Sequence, residues 1–144
     1  MMYRIEPGLK TVTLHRPWAY AVAHLGKRIE NRSWPCPLPV GSLIAIHAGR
    51  KFDPDAVDWI KKHTGLVCPP DEAQPTGIVA IARFMGNVSS SDSPWFIGPI
   101  AWKLTDVLPI DPIPCPGRQR LWDIPLKLLP LVQSRIEAQD ELSK

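Results

Sequence analysis

Seventeen prolines in 144 residues decide where regular structure cannot run. Proline lacks a backbone N–H and locks φ, which confines it to first helical turns, strand edges and loops. Most of these prolines fall between apolar stretches, in PCPLPVG (35–41), VCPPDEAQPTG (67–77) and DPIPCPG (111–117). The chain is thereby divided into short elements joined by long, stiff connections.

The patterns between the proline runs are legible. TVTLH (11–15) alternates and is β-branched, which predicts a short strand. Pro17 suits the first turn of a helix in which Trp18, Val22 and Leu25 share a face, and Gly26 ends it. A polar strand is expected near 28–34, and SLIAIHA (42–48) reads as a buried one. Asp53 is the expected N-cap of an amphipathic helix opened by Pro54, with Val57, Ile60 and Lys61 on successive turns and Gly65 at its close. GIVAIARFMGNV (77–88) is the longest expected strand. PIAWKLTDVLPI (99–110) alternates, with Ile100, Trp102, Leu104 and Asp106 on one face. IDPIPCPGRQRLW (110–122) is extended, and a final helix from about Pro125 to Glu137 precedes a frayed acidic tail, 138–144. The order is strand–helix–strand–strand–helix–strand–strand–helix. Too few helices separate the strands for a doubly wound sheet. The expectation is a mixed α+β fold, a small mixed or antiparallel β-barrel with flanking helices, forming a single domain over 1–144 with its core at about 10–125.

Hydrophobic residues make up 44% and charged residues 22%, which is globular and not disordered composition. No apolar run approaches the roughly 18 residues of a membrane-spanning helix. The N-terminal MMYRIEPGLK carries no apolar signal segment, so the expected location is cytoplasmic, with no membrane partner. Cys36, Cys68 and Cys115 are scattered, each precedes a proline, and no C-x-x-C exists. Free thiols in loops are the expectation, with no metal and no cofactor. Charge is uneven. Residues 1–52 hold eight Lys/Arg against Glu6 and Glu30, a balance of +6, and the net charge of +3 leaves −3 for the remainder. A basic half suits an anionic partner such as nucleic acid, nucleotide or phosphate.

The chemistry concentrates in HLGKRIENRSW (24–34). Residues two apart on a strand share a face, so Arg28, Glu30, Arg32 and Trp34 point one way and Ile29, Asn31 and Ser33 the other. A carboxylate between two guanidiniums stays ionised and fixes Arg32 as a planar fork for an oxyanion or a base edge. Lys27, at the helix-to-strand turn, is expected to reach the same opening. Trp18 and Trp34 offer flat faces on which unstacked bases dock. Gly49, Arg50 and Lys51, at the end of the buried strand, suit phosphate. The pattern describes a strand that lines a wet cleft. A Lys27–Glu30 pair could also serve as nucleophile or acid/base, and Glu30 with Arg32 could be an internal ion-pair scaffold in a protein-interaction module.

These residues resemble the ASCH (activating signal cointegrator homology) family of the PUA-like superfamily, whose hallmark is G-x-K-x-x-E-x-R at a helix-to-strand junction. The frame here reads L-G-K-R-I-E-N-R, matching at Lys27, Glu30 and Arg32, with Leu25 at the first position and the glycine displaced to Gly26. RPWA before it, IHAG after it and the late PGRQRLW are also similar. The resemblance spans roughly residues 10–125. It implies a small β-barrel with a cleft beside the motif that binds RNA or nucleotide-like ligands. Some small members are similar to amidohydrolases of acylated cytidine that use a Lys, a Thr and a Glu. Lys27 would match that lysine, but Glu30 stands where the threonine would be. Ribonuclease activity is a further implication of the family.

Overall fold

A computed structural model describes residues 3–142. The elements, in chain order, are β1 (Lys10–Arg16), α1 (Trp18–His24), β2 (Ile29–Arg32), β3 (Leu43–Phe52), α2 (Pro54–Thr64), β4 (Gly77–Val88), β5 (Ile100–Ile113), β6 (Leu121–Asp123) and α3 (Leu129–Leu142), with 3-10 turns at Asp71–Ala73 and Leu126–Leu128. Six strands form one mixed sheet in the order β2-β5-β4-β3-β1-β6. Only β1 and β3 pair in parallel; the other neighbours are antiparallel.

The mixed α+β class is as expected, but the closed barrel is not. No backbone ladder joins β2 to β6, so the sheet is open along that seam. Curvature enters through bulges: the β4–β5 register slips between Ile78 and Ala80, between Ile81 and Arg83 and between Phe84 and Asn87. Asp106 sits in this region at φ 52°, left-handed backbone. It breaks the alternation foreseen along β5, so Trp102 and Leu104 are buried while Asp106 is exposed beside Arg83.

Both faces of the central strands are covered. Ile44, Ile46 and Ala48 of β3 join Val12, Leu14, Phe84, Trp102 and the α1 residues Ala19 and Val22 in one cluster. Ala45 turns to the other face, with Ile78, Ile81, Ile113 and the α3 residues Val132 and Ile136. That double burial is why 43–46 is continuously apolar. α2 behaves as its sequence predicts: Asp53 accepts a hydrogen bond from the Asp55 amide, and Gly65 adopts φ 77° at the C-cap.

Three boundaries depart from expectation. The polar strand is only four residues, Ile29–Arg32. The extended segment after β5 ends in a sixth strand, Leu121–Asp123, which pairs with Val12–Lys10. The last helix runs further than expected: α3 continues to Leu142 and buries Asp140, while residues 143–144 lie outside the described part. The three thiols are free and lie in loops. No helix among the described residues is long and apolar enough to cross a membrane.

Candidate functional site

The open seam positions the motif. α1 ends at His24 with Leu25 as its C-cap, Gly26 at φ 76° turns the chain away, and the Lys27 amide still donates to Ala21 O. β2 then pairs antiparallel with β5, Glu30 opposite Trp102 and Arg32 opposite Ile100. Its other edge faces the part of β1 that runs on past β6, whose pairing stops at Val12. Side chains span the gap. Arg32 Nη2 donates to Thr13 O at 2.9 Å, and the Arg120 guanidinium lies 4.3 Å from the Trp34 ring centre.

Within the motif, Glu30 is the hub. Lys27 Nζ donates to Glu30 Oε1 at 3.0 Å and to Ile29 O at 2.6 Å; Arg32 Nε donates to Glu30 Oε2 at 3.0 Å. The carboxylate is therefore flanked by an ammonium and a guanidinium, not by two guanidiniums. Arg28 turns back to donate to Val22 O and Lys27 O. Lys27 does not reach the opening. It is 1% exposed, packed behind Glu30 and 5.5 Å from the Trp18 ring centre. A nearly complete loss of solvent is tolerable for an ammonium only when it is paired and hydrogen-bonded, as here. On the opposite face, Ile29 enters the core. Asn31 ties down the 95–98 loop, donating to Trp95 O and accepting from the Ile97 and Gly98 amides.

In front of Glu30 and Arg32 lies a pocket of about 180 Å³, lined also by Thr13, Leu14, His15, Trp18 and Asn31. Trp18 borders it, held edge-on to Trp59 at 5.6 Å. Trp34 does not: one edge packs on Trp102 and Arg120 covers its ring. The pocket thus presents the spare lone pairs of Glu30, the N–H groups of Arg32 that serve neither Glu30 nor Thr13, and an indole wall.

Thr13 and His15 also line a second, larger cleft of about 840 Å³, together with His47–Lys51 by way of Ala48, Gly49 and Arg50, then Thr76 and the loop 114–119. Arg50 and Lys51 belong here, away from the motif pocket. Arg16 holds their strand end: Nε donates to Gly49 O, Nη2 to Arg50 O, and Nη1 to Gln74 O and to both Asp71 O and Oδ1. The cleft floor is His47, 2% exposed, whose Nε2 donates to Cys115 O and whose buried Nδ1 has no hydrogen-bond partner among the described residues. Burial lowers the His47 pKa below the ordinary histidine value, against a smaller raising effect of the Cys115 carbonyl. Sequence reasoning missed His47, Arg16 and Arg118. The signal available for the first two was polarity inside otherwise apolar strands; Arg118 stood in the PGRQRLW segment without an assigned role.

No group of three or more His, Cys, Asp or Glu side chains placed to hold a metal occurs among the described residues. No protein-family model matches the chain, and no curated protein matches it either.

Proposed function

We propose that this chain is an ASCH-type domain, a PUA-like barrel opened at one seam, and that its seam pocket binds RNA or a nucleotide-like ligand by an unstacked base. The observation that carries this reading is the pocket's composition: a fixed carboxylate and a partly free guanidinium facing one small space, with a tryptophan at its border. A base edge offers donors and acceptors together; Glu30 accepts and Arg32 donates, and the indole supplies a wall of the kind bases pack on. A volume of about 180 Å³ is below the roughly 300–1,000 Å³ of pockets that enclose whole small ligands, and it suits one ring system. The basic balance of residues 1–52 favours an anionic partner.

Lys27 is assigned a supporting part in this reading. It fixes Glu30 from behind, and Glu30 in turn fixes Arg32. A hydrolase using Lys27 as nucleophile would have to draw it out of its pairing with Glu30, so the binding reading fits the geometry better.

The test is titration calorimetry with the common ribonucleosides and their monophosphates. At least one is expected to bind, and Arg32→Ala is expected to weaken it by about 1–3 kcal/mol if the guanidinium contacts a base edge. Unchanged affinity in Arg32→Ala would remove the basis for the reading.

A further inference from the structure

The larger cleft differs in chemistry from the pocket beside it. Arg50 and Lys51 enter from the end of β3, Arg118 from the loop before β6, and no carboxylate lines the space. All three cations are exposed, and none makes an ion pair or side-chain hydrogen bond among the described residues. By contrast, Arg16 and Arg28 are committed to protein partners, and Arg32 gives part of its guanidinium to Glu30 and Thr13. The loop that carries Arg118 rests directly on the floor. A Cβ on Gly117 would lie 2.7 Å from His47 Cε1 and 2.8 Å from Thr13 Oγ1, so only glycine permits that approach. The two spaces meet at Thr13 and His15, which line both.

We propose that the larger cleft binds the phosphodiester backbone of a single-stranded polynucleotide whose base occupies the seam pocket. This rests on the base-binding reading above and adds to it that the ligand is a chain, not a free nucleoside. Phosphate contacts come from unpaired cations and carry no sequence information, whereas a base edge needs a mixed donor–acceptor surface; the two spaces divide these tasks. At about 840 Å³ the larger cleft also has room for more than the seam pocket can hold.

Fluorescence anisotropy on labelled ten-nucleotide single strands of mixed sequence, RNA in one arm and DNA in the other, tests it. With three phosphates neutralised at a slope of roughly −0.7 each, log K should fall against log salt with slope about −2, or about 20-fold between 50 and 200 mM. Binding of either strand with that slope supports the proposal, and the tighter one identifies the sugar preferred. The variant Arg50→Ala/Lys51→Ala/Arg118→Ala should flatten the slope to near zero, and Arg118→Ala alone should reduce it by about 0.7. A nucleoside monophosphate should compete worse than the unlabelled strand. If Arg32→Ala weakens binding but the triple variant keeps the slope, or the monophosphate competes equally, the backbone cleft is wrong and base binding stands. If no strand binds while a ribonucleoside or monophosphate does, the backbone cleft is wrong and base binding stands; if Arg32→Ala changes nothing, base binding fails and the proposal with it.

Discussion

Glu30 is held by two cations of very different standing. Lys27 is sealed in behind it, and Arg32 is partly exposed at the seam. Removing the carboxylate strands a buried ammonium, whereas removing the ammonium leaves the Glu30–Arg32 pair intact. Glu30→Ala is therefore expected to destabilise by about 3–5 kcal/mol, and Lys27→Met, similar in length and apolar, by clearly less. Urea unfolding of both variants checks the order; equal losses would mean that Lys27 and Glu30 contribute as one unit. The identity of this cluster was legible from the spacing of Lys27, Glu30 and Arg32. Its layering was not. Alternation puts Arg28 on the face of Glu30, but Arg28 precedes the first paired residue and bends back to the end of α1, while the flexible Lys27 stem folds into the space that this leaves.

At the scale of elements, apolar periodicity located β1, β3, β4 and both capped ends of α2, because those segments combine pattern with proline or glycine punctuation. β6 was not legible as a strand: three residues after a proline-rich run pair only because β1 offers an edge there. The last turns of α3 looked like a solvated tail from their charge, yet Ala138, Gln139, Glu141 and Leu142 are good helix formers and the helix continues through them. The element that most depends on one side chain is the end of β3. Arg16 satisfies the carbonyls of Gly49, Arg50, Gln74 and Asp71 at once. Arg16→Ala should cost at least about 3 kcal/mol, because several partly buried carbonyls lose their donor together. Arg16→Lys should rescue little, since an ammonium cannot reproduce the planar fork. Thermal melts of the two variants decide this, and a full rescue by lysine would show that charge alone anchors the strand end.

Over the whole molecule, the sequence was enough for a mixed α+β fold with most of its elements, but not for the open seam. Whether a sheet closes depends on strand order, and here that order includes a parallel β1–β3 pair that no local pattern announces. The seam is also the reason a four-residue strand carries Glu30, Asn31 and Arg32 in succession. Asn31 secures the neighbouring loop, and the other two replace a missing ladder with side-chain bonds and leave a pocket between the edges. The chain has six tryptophans, so six indole N–H signals can be followed together with the Arg32 Nε–H by ¹⁵N–¹H correlation spectra. Titration with a ribonucleotide or short RNA that binds should move the Trp18 indole and Arg32 Nε–H signals, while Trp102, buried and bonded to Trp34 O, stays in place. Saturable binding that leaves Trp18 and Arg32 unmoved would contradict the account.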